Sequence, residues 1–432
     1  MILAMATCTS CWEDSGSDSH FEQSDIFYRR AQELCQTQML RGTTLEIVQY
    51  LLLTTQYLQG THRSVQTWTI HGLSVKAAMS IGLHSRDIAS KFTPLQQEIR
   101  KRTWFGCILL DRSLGMTFGR PCTIPEEYIR LDTPKHLPLY TSVSDQIQRL
   151  STEFYNASVS VYRIMGRIIT ALYGNNLGCD TQSSDTSAMT AIIELEQELS
   201  DWQGNLPVQL RPFSADELSR LTDIETQDTT VERFRVILTL RYLNAQLLLH
   251  RPTFIRSLSA LSRESKTSCR NSGSVNSMQA SFDRVFVQVA QTILDIIHAV
   301  MMRQDHGRHL IGAWWFTLYY AFSAALAVFG GMLIAKDSVD EIDVESRRDR
   351  ASRYLNQGCE AISQLSNDNP IVLRCTQFFE PQSTGDGDCF DLETDLISTM
   401  PSWETSDFGF GDELELGQFF ASDLQKWFER VQ

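Results

Sequence analysis

The sequence predicts an all-α protein: a large multi-helix domain with a disordered N-terminus and an acidic C-terminal tail. Three observations predict it. Leu150, Phe154, Ala157, Val161, Ile164, Ile168 and Ala171 follow one another in alternating three- and four-residue steps, which lays a single apolar stripe along a helix. Val65, Trp68, Gly72, Val75, Met79 and Gly82 repeat that pattern, with glycines expected to let a neighbour approach closely. Thr93-Pro94-Leu95-Gln96 joins a capping-box spacing to a proline at the first helical position, so a second helix should start there and run to about Gly115.

In chain order, residues 1–24 are polar and acidic and are expected to be disordered or poorly anchored. Cys8 and Cys11 form a lone CxxC, short of the four ligands a structural zinc site needs. Two helices are expected over 25–58, separated by Gly42. After the helix opened by Thr93, Gly119-Arg120-Pro121 forces an exit, and the proline-punctuated CTIPEEYIRLDTPKHLP should lie extended over the helices. The long helix from Ile147 follows, then a polar loop, a helix reaching Trp202, a break at LPVQLRP, and a helix over 231–250 ending at Arg251-Pro252. Residues 256–281 hold nine serines and read as a linker. Helices resume over 282–302, through the aromatic block at Trp314, and over 344–365. The domain is placed at 25–375 and the tail at 376–432.

Asp111 shares a helix face with Trp104 and Ile108, so its carboxylate needs a partner, and Arg112 and Arg120 are the nearest cations in sequence. A structural ion pair tying the helix to its turn is the expected role. His306 and His309 in HGRH have no nearby carboxylate or cysteine and read as a helix break, not a metal site. No metal or cofactor motif stands out. GxSxG, HExxH, P-loop and dinucleotide glycine patterns are absent, so no catalytic residue is assigned and an enzyme is disfavoured.

GLHSRD from Gly82, Leu83 and His84, EIRKRTWF with Arg102 and Trp104, and LLDRSLGMTFGRPCTI with Asp111, Arg112, Gly119, Arg120 and Pro121 follow in order. This succession resembles the regulatory middle homology region of fungal transcription factors. LSDWQGNLPVQLRP, LLLHRP with His250, Arg251 and Pro252, and WWFTLYYAFSAA extend the resemblance across roughly residues 25–335. Trp104-Phe105 stands where the family usually pairs two tryptophans. The resemblance implies an all-α regulatory scaffold in the nucleus, in which these residues are structural. It also implies a six-cysteine zinc cluster for reading DNA, whose cysteine and basic pattern these 432 residues lack. DNA is then reached only indirectly, through a partner or a missing cluster. Coactivators or the transcription machinery would be the partners, and a homodimer or heterodimer is compatible with the helical seams.

Charge distribution points the same way. The formal net charge is -14. Residues 386–432 hold twelve acidic and two basic residues, a net of -10, which leaves -4 for the rest. Neither part has the cationic surplus that binding a phosphate backbone requires. Within the tail, Trp403, Phe408, Phe410, Phe419, Phe420, Trp427 and Phe428 stand among acidic residues, the pattern of an activation segment that docks transiently in a coactivator groove. Ten scattered cysteines suit reduced thiols inside the cell, and the first residues lack a secretory lead. Two rival readings remain open: a standalone protein that titrates or represses a longer regulator, and a single-span membrane protein anchored by the uncharged residues 310–335.

Overall fold

A computed structural model describes residues 1–9, 17–39, 42–61, 63–89, 91–137, 144–174, 185–213, 217, 229–264, 273–303, 307–335, 341–365 and 370–379. Among these residues every regular element is helical, as the periodicity predicts. The α-helices are α1 (Ile2–Thr9), α2 (Ser17–Met39), α3 (Leu45–Gly60), α4 (Ser64–Ser80), α5 (Arg86–Ala89), α6 (Pro94–Phe118), α7 (Asp145–Leu172) and α8 (Asp185–Asn205). They continue as α9 (Thr229–Glu264), α10 (Gly273–Met301), α11 (Trp314–Ala335), α12 (Glu341–Ser363) and α13 (Pro370–Phe379).

Helix α6 starts as its residues dictate. The Gln96 N–H donates to Thr93 Oγ1 while the Thr93 N–H donates to Gln96 Oε1 at 3.1 Å, with Pro94 at the first turn. It ends at Phe118, one turn beyond the expected Gly115, because Gly119 at φ 60° supplies the left-handed exit. Leu110 to Phe118 are buried on every side, so α6 is a central strut and not a surface helix. Helix α7 buries Leu150, Ala157, Val161, Ile164 and Ile168 as the stripe predicts, while Ala171 lies exposed at its end.

The larger core gathers α7 to α13. Helix α11 buries Trp314, Leu318, Tyr319, Ala321, Ala324, Ala325 and Val328. Its glycines let neighbours press close: a Cβ at Gly330 would lie 2.8 Å from the Phe254 ring, and one at Gly331 2.8 Å from Val287. Helices α10 and α11 both have the length and composition to cross a membrane, but they pack on each other and on α12 within the core. Their apolar surface thus serves the fold, which supports the core reading of residues 310–335 over the membrane anchor.

At the N-terminus, α1 buries Ala4 and Cys8 against Tyr28, Tyr57 and Leu58, and Ser24 donates to the Ala4 carbonyl at 2.9 Å. Short apolar positions on α1 found a receptor surface that lies elsewhere in the chain. Several expectations are corrected. Helix α4 turns a different face inward from the one predicted. Thr67, His71, Ser74, Val75 and Ala78 are buried, Val65 is exposed, and a Cβ at Gly72 would meet nothing within 4 Å. The close approach occurs instead at Gly60, where a Cβ would lie 2.6 Å from the Trp315 ring.

Helix α9 does not stop at Arg251-Pro252; it continues to Glu264, and α10 begins at Gly273, so much of the expected 256–281 linker is helical. Pro252 lacks the N–H that would satisfy the Leu248 carbonyl one turn earlier. Tyr173, at the end of α7, donates its hydroxyl to that carbonyl at 2.7 Å. Helix α13 carries order through Phe379, past the expected domain end at 375, with Phe378 edge-on to Phe322 at 5.8 Å. The tail candidates Trp403, Phe408, Phe410, Phe419, Phe420, Trp427 and Phe428 lie outside the described residues.

Candidate functional site

The family-like residues converge where α6, α4 and α7 meet the segment 121–137. Asp111 and Arg112 are 0% and 3% exposed, yet both are charged. Burying a carboxylate is tolerable only if its lone pairs and charge are matched. Oδ1 of Asp111 accepts from the Thr123 N–H at 2.9 Å and lies 3.3 Å from His71 Nε2. Oδ2 accepts from Arg112 Nη1 at 2.6 Å and from the Ile124 N–H at 3.1 Å. Arg112 Nη2 donates to the Ile124 carbonyl at 2.8 Å and lies 3.6 Å from Glu126. Glu126 is also held by Arg163 of α7, whose Nε donates at 2.7 Å. Room for Arg112 comes from Gly166, where a Cβ would fall 2.5 Å from Nε.

A second clasp holds the far end of the same segment. Glu98, 6% exposed, accepts from Arg102 Nε at 3.2 Å and from the Lys135 N–H at 2.9 Å. Arg102 Nη2 donates to the Lys135 carbonyl and to Thr152 of α7, and Asn156 donates to the Pro134 carbonyl at 2.9 Å. Between the clasps, His84 is tilted on Trp104 at 5.8 Å and meets Tyr128 edge-on at 6.1 Å. Trp104 is fully buried, and Gly82 at φ 69° makes the turn that brings His84 there. Arg120 does not join Arg112 on Asp111 as the nearest cation; its guanidinium lies over the Trp68 ring at 5.2 Å, and Pro121 is exposed beside it.

The HRP residues form a separate group. His250 is fully buried, tilted against Phe282 at 5.5 Å, with Nε2 at 3.7 Å from Glu196, too long for a hydrogen bond. Arg251 lies within electrostatic reach of the Tyr319 hydroxyl, and Pro252 sits inside α9 as described above. His309 lies in a 3-10 turn over 307–310, while His306 lies outside the described residues.

Burial alone would raise the Asp111 pKa, but the hydrogen bond from His71, the nearby charges and the Ile124 amide outweigh it and hold the carboxyl below its usual value. Its contribution to stability is therefore present above the unfolded-state value near 3.8 and fades as pH falls through the lower folded one. A stability profile in urea should accordingly drop in that acidic window, and Asp111→Asn should flatten the drop. Burial also pushes the Cys107 thiol up to about 12 and Cys122 up to about 11, so both stay protonated and unreactive. Every strong acceptor position of Asp111 is occupied, which leaves it nothing with which to abstract a substrate proton. The arrangement is a clasp, as the sequence suggests for Asp111 and Arg112.

Some of its members carried a sequence signal and others did not. Glu98 and Arg102 stand at the four-residue spacing of a helical ion pair. Gly166 interrupts an otherwise strict amphipathic helix, a mark of close approach. His71, Thr123 and Tyr173 act across 40, 12 and 75 residues of sequence, and nothing local announces them.

Residues 1–204 match the sequence profile of the fungal specific transcription factor domain. The chain is 32% identical over 379 residues to transcription factor FBD3 of Gibberella moniliformis, covering 88% of this chain and 50% of that protein. It is likewise 32% identical over 387 residues to FBD3 of Fusarium pseudograminearum, covering 88% of this chain and 49% of that one. To an ABC-transporter-regulating transcription factor of Aspergillus fumigatus it is 23% identical over 317 residues, 71% of this chain and 33% of the relative. The chain thus spans about half the length of the FBD3 relatives it matches. No solved structure matches.

Proposed function

We propose, from the match of residues 1–204 to the fungal specific transcription factor domain, that this chain is a nuclear regulator of transcription that works through protein contacts and is not an enzyme. The observation that carries this reading is where the motif residues go. Asp111, Arg112, Glu98 and Arg102 are consumed in holding 121–137 to the helices, so the charged motif residues of the sequence build a scaffold. The relatives named as transcription factors support the same class. With a net charge of only -4 over residues 1–385, DNA is reached through a partner or a zinc cluster outside these residues. The alternative reading is a protein that titrates a longer regulator.

The acidic-aromatic tail supplies the output in the first reading. Fused to a heterologous DNA-binding domain, residues 382–432 should raise reporter transcription several-fold, and replacing Phe419, Phe420, Trp427 and Phe428 with alanine should abolish the rise. A tail that leaves the reporter silent would favour titration instead.

A further inference from the structure

Several arginines of this fold are held by carboxylates, whereas Arg241 lies among aromatic rings. Arg163 is held by Glu126, Arg235 by Glu217 at 2.7 Å and Arg303 by Glu232 at 2.5 Å. Arg241, on α9, has no carboxylate against it among the described residues. Its Nη1 donates to Ser158 at 2.5 Å, and its guanidinium lies over the Phe154 ring at 5.5 Å and the Tyr162 ring at 5.4 Å. Phe154 is stacked on Phe234 at 4.3 Å, and Tyr320 lies close to Tyr162 beside the cation. Ser158, Tyr162 and Tyr320 are each buried, while Arg241 itself is half-buried, and none of its nitrogens is sealed from solvent without a partner. The Nε and Nη2 donors therefore keep some contact with solvent, next to a wall of rings.

A partly desolvated guanidinium without a counterion is costly, and the cost falls when an anion arrives. Its planar fork matches a carboxylate, and the single positive charge matches a single negative one. Rings on two sides suit an apolar or aromatic body. Burial keeps the Tyr320 hydroxyl protonated far above neutral pH, so the wall adds no negative charge of its own. We propose that Arg241, with Ser158, Phe154 and Tyr162, forms a binding site for a small aromatic or apolar monocarboxylate.

The test is calorimetric titration of the full chain with benzoate. Saturable single-site binding is expected, weakened about tenfold or more in Arg241→Gln and also in Arg241→Lys, which keeps the charge but loses the fork. Arg284→Gln, an exposed arginine on α10, should leave affinity unchanged. Circular dichroism establishes that the variants are folded, and should Arg241→Gln unfold, the lysine variant decides. The proposal is overturned if the natural chain shows no saturable binding of benzoate. It is equally overturned if the folded Arg241 variants bind within about twofold of it, or if inorganic phosphate binds as tightly as benzoate.

Discussion

Replacing Asp111 with alanine is expected to lower the free energy of unfolding by about 3–5 kcal/mol, because it leaves the buried Arg112 with only the more distant, half-exposed Glu126 as counter-charge and frees two backbone N–H groups. Equilibrium unfolding in urea measures this directly, as a lower midpoint at unchanged slope. Asp145→Ala is the comparison. Its carboxylate also meets an arginine and a histidine, but it is 52% exposed, and the loss there should be far smaller. Equal losses at the two positions would show that the buried clasp is no stronger than a surface pair.

The second large effect is conditional, which makes it sharper. Tyr173→Phe should cost about 1–3 kcal/mol, since the tyrosine hydroxyl donates to the carbonyl of the buried Leu248, which Pro252 has no N–H to satisfy. In a Pro252→Ala background the new N–H can reach the same carbonyl, so Tyr173→Phe should then cost much less. A double-mutant cycle would read the difference as coupling of about 1 kcal/mol or more. Additive losses would mean that the hydroxyl and the proline are unrelated features of α9.

These two cases also mark what could be read from sequence. The helix class, the Thr93 cap, the Gly119 exit and the Asp111–Arg112 pairing are all local: a few adjacent residues carry each signal. The wrong end placed on α9 came from a local rule as well, the incompatibility of proline with a helix interior. That rule was overridden by Tyr173, a residue 75 positions from the carbonyl it satisfies. The predicted stripe on α4 failed for a similar reason. Hydrophobicity favoured Val65 and Gly72, but the buried carboxylate on α6 required His71 at the interface, and no periodicity encodes a demand made by another helix. The docking of α1 depends on a receptor formed by Tyr28, Tyr57 and Leu58, which composition alone does not reveal.

The clasps on 121–137 have a consequence for how the chain orders itself. Pinned at 123–124 and again at 134–135, the connection from α6 to α7 is broken into shorter closures, each with less configurational freedom than the whole. Four of the charged anchors, Glu98, Arg102, Asp111 and Arg112, sit on α6 itself, and Arg163 on α7 adds a hold on Glu126. The loop therefore has no private melting transition: it condenses when α6 docks and comes apart when α6 unwinds, so this irregular stretch shares the cooperativity of the core helix beneath it.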